Sequence, residues 1–218
     1  MPTTKTVEDV YDAAVARNKL NDGLQLVGTA EVIALVSRVQ QEKFLKASQI
    51  NPEFFGTNIE VTLDGSKKAD LSTLSPAIAY LDLVVIANKG TSGYTNGDEV
   101  NVVAVRDFDA ELAPRMFKQR YNLAPVGTDM NGVTSVGLYY SVLPDTMDIT
   151  VTDMSTIDMD MPDEFIDSIV TELALYMAIK DNRSQDEIAV LQIEVQQADA
   201  IFSAAVGNFS RTTRRFNE

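Results

Sequence analysis

The chain contains no cysteine, no histidine and no tryptophan among its 218 residues. The absence of cysteine excludes disulfides, zinc–thiolate sites and cysteine nucleophiles. The absence of histidine excludes a Ser-His-Asp triad and removes the commonest general base and the commonest ligand of transition metals. An enzyme built from this sequence would have to use carboxylates, lysine, tyrosine or hydroxyl groups alone. We therefore expect no catalysis, cofactor or metal.

Long apolar runs are also missing from the sequence. No stretch of about 18 apolar residues is present, as a membrane-spanning helix requires. The first ten residues lack the apolar centre of a signal peptide, so we expect a protein made in a cytoplasm and without a membrane partner. The 32 acidic residues outnumber the 18 basic ones and give a net charge of −14, which disfavours nonspecific contact with nucleic acid.

The most regular stretch runs from Pro162 to Gly207 and predicts two antiparallel helices joined at residues 181–184. Pro162 suits the start of the first helix, Ser184 and Glu187 form a capping box for the second, and Gly207 is expected to end it. Apolar residues recur every three or four positions and should form the buried faces, at Phe165, Ile166, Ile169, Val170, Leu173, Met177 and Ala178, then at Ile188, Leu191, Val195, Ala198, Ile201, Phe202 and Ala205.

Two further helices are expected before residue 50. They run from Thr6 to Lys19 and from Thr29 to Ser48, with Thr6 and Thr29 as caps. Between them and the hairpin, alternating or β-branched runs predict strands at 58–64, 78–87, 99–105, 136–144 and 148–152, the last two as partners. Strands grouped between helices predict an α+β fold, with N-terminal helices, a central antiparallel β-rich part and a C-terminal helical hairpin. The expected parts are 1–50, 51–152 and 153–218, with the helical parts packing as one domain.

A turn-rich stretch at residues 88–98 separates two of these strands. Its glycines lack the Gly-Lys-Ser/Thr ending and the following helix of a phosphate-binding loop. An exposed hairpin loop is favoured instead, and such loops often contact partners. The residues proposed for this contact are Gly90, Tyr94, Asn96 and Gly97, and a second turn-rich loop, 127–132, is expected to act with them.

Clustered charges suggest two further sites. Four carboxylates could hold calcium or serve an acidic-site hydrolase, but they lack EF-hand spacing, and an extended segment leading into the hairpin is the preferred interpretation, at Asp153, Asp158, Asp160 and Asp163. Three basic residues form a solvated face or a local contact to an acidic partner, at Arg115, Lys118 and Arg120.

The end of the chain combines arginine with phenylalanine, residue types frequent in protein interfaces. We expect this tail to dock onto a partner through Phe209, Arg211, Arg214, Arg215 and Phe216. The alternatives are a disordered tail and a tail whose arginines lie against DNA phosphates.

Three motifs carry a resemblance to a known family. They are S-V-G-L-Y-Y-S-V-L-P-D at 135–145, M-P-D-E-F-I-D-S-I-V-T-E-L-A-L-Y-M-A-I-K-D at 161–181, and E-I-A-V-L-Q-I-E-V-Q-Q-A-D-A-I-F at 187–202. Together with the basic tail they resemble the C-terminal half of head-to-tail adaptor (portal connector) proteins of tailed bacteriophages, over 136–218. The strand-rich middle is more similar to the adaptors of short-tailed phages, which add a β-rich part.

This resemblance implies a structural protein of the virion neck, at the head–tail junction. Its copies would form a ring, typically a dodecamer, that binds the portal protein, extends the DNA channel and provides the attachment site for tail or nozzle proteins. DNA would pass through without sequence-specific binding, and assembly would take place in the host cytoplasm. Alternatives are another neck or tail-completion protein, an enzyme with an acidic site, and a soluble regulatory binding module.

Overall fold

A computed structural model describes residues 5–18, 27–74, 77–103, 114–119, 122–126 and 129–209. Helices at both ends of this part of the chain enclose a run of strands, so the expected α+β class is confirmed. The described residues separate into two compact units. Residues 5–50 and 144–209 form the helical unit, and residues 51–143 form the β unit.

The helical unit consists of α1 (Val7–Asn18), α2 (Thr29–Ile50), α3 (Asp167–Lys180) and α4 (Gln185–Asn208). Two short 3-10 helices, Met154–Thr156 and Asp163–Phe165, precede α3. Helix α3 packs against the other three helices and lies at the centre of the unit. Its large buried side chains include Ile169, Leu173 and Met177, each at most 1% exposed.

The hairpin of α3 and α4 forms as the sequence predicts. Helix α3 ends in a Schellman motif, in which the Arg183 N–H donates to the Ala178 carbonyl and the Asn182 N–H to the Ile179 carbonyl, both at 3.1 Å. Asn182 adopts the left-handed conformation that this motif needs, with φ 53°. The expected capping box of Ser184 and Glu187 begins α4. The two helices are antiparallel, because Phe165, just before α3, meets Phe202 late in α4 with ring centroids 5.5 Å apart.

Several details of the helices differ from the expectation. Helix α3 begins at Asp167, because a 3-10 helix follows Pro162. Helix α2 is preceded by Gly28, whose carbonyl accepts the Val32 N–H, so Thr29 is already helical and is not the cap. Helix α4 continues through Gly207 to Asn208. Phe165, Ile188, Val195 and Ala205 are only half-buried, and Ile201 is 69% exposed, so the predicted buried faces are wrong at these positions.

The expected strand at 148–152 is absent from the structure, which describes all of these residues. The segment 144–161 instead contacts α2 near both of its ends, where polar side chains of α2 bind its backbone. Ser37 accepts the Met147 N–H at 3.0 Å, Gln41 donates to the Pro144 carbonyl at 3.1 Å, and Gln40 accepts the Asp160 N–H at 3.1 Å. Within 148–152 the backbone bonds locally, since Asp148 accepts the Thr150 N–H through its side chain at 2.8 Å and the Val151 N–H through its carbonyl at 3.3 Å. The segment belongs to the helical unit.

The β unit contains two sheets. One is antiparallel with the order β1-β7-β3, and the other has the order β2-β6-β5-β4 with β4 and β5 parallel. The strands are β1 (Gly56–Thr62), β2 (Ala69–Asp70), β3 (Ala77–Asn88), β4 (Asn101–Val103), β5 (Arg115–Gln119), β6 (Asn122–Pro125) and β7 (Ser135–Leu143). Their shared core includes Val84, Ile86, Val100, Met116, Leu123, Met130, Val136 and Leu138.

The strand expected at 99–105 needs correction. After β3, the chain pairs with that strand through a single bridge between Val85 and Glu99, and Asn101–Val103 then pairs with β5. The expected hairpin of β3 with this strand is therefore limited to its first residues. Residues 104 and 105 lie outside the described part of the chain. In β1, Ile59 is 37% exposed and Val61 is half-buried, whereas Leu63, directly after the strand, is buried.

Candidate functional site

The two turn-rich loops predicted to contact partners lie against each other in the β unit. The Thr91 N–H donates to the Gly132 carbonyl at 3.1 Å, and the Thr134 N–H donates to the Asn88 carbonyl at 2.9 Å. These bonds join residues 88–98 and 129–134 into one surface, which we call the paired-loop surface. The sequence predicts both loops but not their contact, because each was recognised from local turn residues alone.

Two glycines allow this close contact. Gly90 and Gly132 have φ of 52° and 84°, in the left-handed region that side chains disfavour. A Cβ on Gly90 would lie 2.2 Å from the Gly132 carbonyl oxygen, and one on Gly132 would lie 2.5 Å from the Ser92 nitrogen. The backbones are therefore too close for any residue other than glycine without a shift of the loop.

Side-chain hydrogen bonds within residues 88–98 hold this loop in one conformation. The Asn96 carboxamide oxygen accepts the Lys89 N–H at 2.8 Å, and the Asp98 carboxylate accepts the Thr95 N–H at 2.7 Å. Gly90, Asn96 and Gly97 are exposed, as expected of partner-contacting residues. Tyr94 is half-buried and packs on the core of the β unit, which makes it an anchor of the loop.

An ion pair supports the second loop from below. Arg115 Nε lies 2.7 Å from Asp129 Oδ2, with both side chains about one-fifth exposed at 17% and 21%. The hydrogen bond to Asp129 raises the pKa of Arg115, while burial and then the Asp129 charge raise the pKa of Tyr94. Arg115 thus belongs to the loop support, whereas Lys118 is exposed and Arg120 lies outside the described residues.

The proposed docking tail is described only at its start. Phe209 follows α4 with an extended backbone and is 42% exposed. Arg211, Arg214, Arg215 and Phe216 lie outside the described residues.

Two of the four clustered carboxylates, Asp153 and Asp160, accept hydrogen bonds from other residues of the helical unit. Asp153 Oδ1 accepts the Ser155 hydroxyl at 2.6 Å and its N–H at 3.1 Å, and these bonds lower the pKa of Asp153. Asp160 accepts a hydrogen bond from the buried Gln40 at 3.1 Å. Within the described residues, no three acidic side chains are arranged to hold a metal ion. The calcium interpretation therefore gains nothing from the geometry.

A buried ion cluster in the helical unit has no signature in the sequence. Lys43 on α2 donates to Glu172 on α3 and to Asp199 on α4, and its side chain is 4% exposed. Burial alone would lower the pKa of Lys43, but the hydrogen bonds to Asp199 and Glu172 outweigh it and raise that pKa. Since each charge is matched by hydrogen bonds between helices, we assign this cluster to fold stability.

The solvent-facing side of α4 is a second feature that the sequence did not predict. Val190, Ile193 and Ile201 are 56%, 53% and 69% exposed. The sequence carries a signal for this side. Val190, Ile193 and Ile201 share one side of a helix by their spacing, and that side differs from the one that carries Leu191, Ala198 and Phe202.

No protein-family model and no curated protein sequence matches the chain. The helices in the described part are too short or too polar to span a membrane.

Proposed function

We propose that the protein is a structural component of a bacteriophage virion, a head-to-tail adaptor. In this role its copies form a ring below the portal protein, extend the DNA channel and provide the attachment site for tail or nozzle proteins. The proposal starts from the resemblance of residues 136–218 to such adaptors. It requires no catalysis and no cofactor.

The observation that carries the proposal is the paired-loop surface. Its exposed residues are small or polar, and its shape is fixed by backbone bonds to Gly132 and by the Asn96 and Asp98 side chains. A surface that is already ordered loses little conformational freedom when it binds, so weak contacts suffice for attachment. Repeated around a ring, such contacts add through effective concentration. We assign this surface to the tail or nozzle protein.

The second attachment is assigned to the tail of the chain. Three arginines follow α4 in a protein of net charge −14, and two phenylalanines flank them. This composition suits acidic groups and apolar pockets on the portal protein, because arginine and aromatic residues dominate interface energies.

Binding experiments with the separate partners test both assignments. The full chain is mixed with DNA-free portal rings or with purified tail or nozzle protein from the same virus, and bound protein is measured by sedimentation. Deleting residues 209–218 should abolish binding to portals and spare binding to the tail component. Inserting Gly-Ser after Gly93 should do the reverse, because it disturbs the paired-loop surface alone.

The outcomes separate the candidate functions. If the truncated chain binds empty portals as well as the full chain does, the docking role of the tail is wrong. A full chain that binds tail components but no portal contradicts the adaptor and supports the alternative, another neck or tail-completion protein. The full chain could also bind DNA-filled portals but not empty ones, and lose this binding on truncation. That result would show that the arginines bind DNA in the channel and not the portal protein.

A further inference from the structure

One side of α4 forms a continuous exposed stripe. Val190, Ile193, Gln197, Ile201 and Ala204 are all exposed and follow one another at steps of three and four residues. At 3.6 residues per turn these positions share one side of the helix. We call them the α4 outer face. It lies opposite the buried side, which carries Leu191, Ala198, Phe202 and Val206.

The exposed side of α4 carries no charge between Ala189 and Asn208, a span the structure describes throughout. The two charged residues of this span, Glu194 and Asp199, are half-buried and form ion pairs with Arg17 and with Lys43. A solvated helix face normally carries charged residues, and this chain has 50 of them, 18 basic and 32 acidic. A long uncharged face with exposed isoleucine is typical of a contact surface.

The spacing of the α4 outer face is symmetric about Gln197. The steps from Val190 to Ala204 are three, four, four and three residues. When two such helices pack antiparallel, Gln197 lies beside Gln197 of the other copy, Ile193 beside Ile201, and Val190 beside Ala204. We propose that the α4 outer face binds a second copy of this chain in this antiparallel, two-fold arrangement.

Charge and hydrogen bonding both favour a second copy as the occupant. Two proteins of net charge −14 repel each other, and the α4 outer face itself adds no charge to the interface, while the neighbouring Glu194 is paired with Arg17. A glutamine amide both donates and accepts, so the central Gln197 pair satisfies itself. The acidic first turn of each α4, with Asp186 and Glu187, lies beside the end from which the other copy continues into its arginine-rich sequence 210–218.

This pairing goes beyond the proposed function. A two-fold contact closes after two copies, whereas a ring whose subunits all point the same way needs contacts between two different surfaces. The pair is therefore a property of the free protein, and it stands or falls separately from the adaptor role.

The mass of the full chain in solution tests the pairing. At high micromolar concentration we expect a dimer, measured by sedimentation equilibrium. Ile193→Lys should weaken dimerisation at least about tenfold, because it places a charge in the apolar contact of each copy. Ile149→Lys is the matched control, since Ile149 is 52% exposed but lies outside α4, and it should dimerise as the parent does. A parent chain that stays monomeric, or an Ile193→Lys variant that dimerises like the control, overturns the proposal.

Single cysteines test the orientation, because the chain has none of its own. Gln197→Cys should form a disulfide between copies by itself. Positions 190 of the two copies should lie about 21 Å apart along the helices, too far for a disulfide. Val190→Cys should therefore cross-link poorly alone and well when mixed with Ala204→Cys. If Val190→Cys cross-links to itself as readily as Gln197→Cys does, the helices are parallel and the antiparallel pairing is wrong.

These results do not depend on the virion experiments. A protein that binds portals but never dimerises overturns the pairing alone, and a dimer that binds neither portal nor tail component overturns the adaptor role alone.

Discussion

The ammonium group of Lys43 on α2 donates a hydrogen bond to the Asp199 carboxylate on α4, although the Lys43 side chain is only 4% exposed. The same group donates to Glu172 on α3, so three helices meet around one buried charge. A buried cation is tolerated only while its partners remain, because the loss of hydration must be offset by hydrogen bonds and opposite charges. The arrangement therefore fixes how the three helices pack.

Lys43→Met should lower the free energy of unfolding by about 3 kcal/mol, because it leaves Glu172 without its cation and Asp199 with only the half-exposed Lys46, whose Nζ lies 3.4 Å from Asp199 Oδ2. Urea unfolding followed by circular dichroism measures this change. Arg38→Met is the control on the same helix, since the Arg38–Glu42 pair is 66% and 61% exposed. It should cost no more than about 0.5 kcal/mol. Equal losses in the two variants would show that the Lys43 cluster contributes no more than a surface pair.

Because the pKa of Lys43 changes on folding, we expect the stabilisation by Lys43 to depend on pH. Folding raises the pKa of Lys43 above its ordinary value of 10.5, since the hydrogen bonds to Asp199 and Glu172 outweigh burial. A raised pKa contributes fully below 10.5, and its contribution disappears as pH rises through the folded value. The difference in unfolding free energy between the parent and Lys43→Met should stay constant from neutral pH up to about that value and shrink above it. A difference that grows in alkali would contradict the raised pKa.

The sequence predicts the α3–α4 hairpin well because its signals are local. The hydrogen bonds that end α3 at 181–184 and the capping box of Ser184 and Glu187 join residues that are only three to five positions apart. The burial of individual side chains is less predictable. Ile201 and Phe202 are neighbours, yet one is 69% and the other 1% exposed, because the position of the surrounding helices decides which side of α4 is covered.

Contacts between distant residues account for what the sequence could not predict. The segment 148–152 has β-branched residues that favour a strand, but Ser37 and Gln41, more than 100 positions away, hold its neighbours Met147 and Pro144 against α2. Likewise, turn residues identify each loop of the candidate site, while the bond from Thr91 to Gly132 requires the folded β unit. The burial of Lys43 likewise could not be predicted, because its partners Glu172 and Asp199 are distant in the sequence.

Leu173 tests whether α3 is the centre of the helical unit. Its side chain is 1% exposed, so Leu173→Ala should leave a cavity and lower the free energy of unfolding by about 2–5 kcal/mol. Ile179→Ala removes a similar side chain from the same helix at a position that is 51% exposed, and its cost should be much smaller. Thermal melting of both variants measures the difference. If Leu173→Ala melts within a degree of the parent, α3 is peripheral.

The contact between the two loops depends on Gly90, and the nearby Gly93 offers a control substitution. Gly90→Ala forces a side chain into φ of 52° and places its Cβ 2.2 Å from the Gly132 oxygen, so the loops must separate. We expect a loss of about 1–3 kcal/mol in local stability, seen as faster hydrogen exchange at the Thr91 and Thr134 amides that join the loops. A Cβ on Gly93 would enter open space, with nothing from the rest of the fold within 4 Å, and Gly93 has no positive φ, so Gly93→Ala should leave both amides protected. Equal exchange in the two variants would mean that the loops do not hold each other in solution.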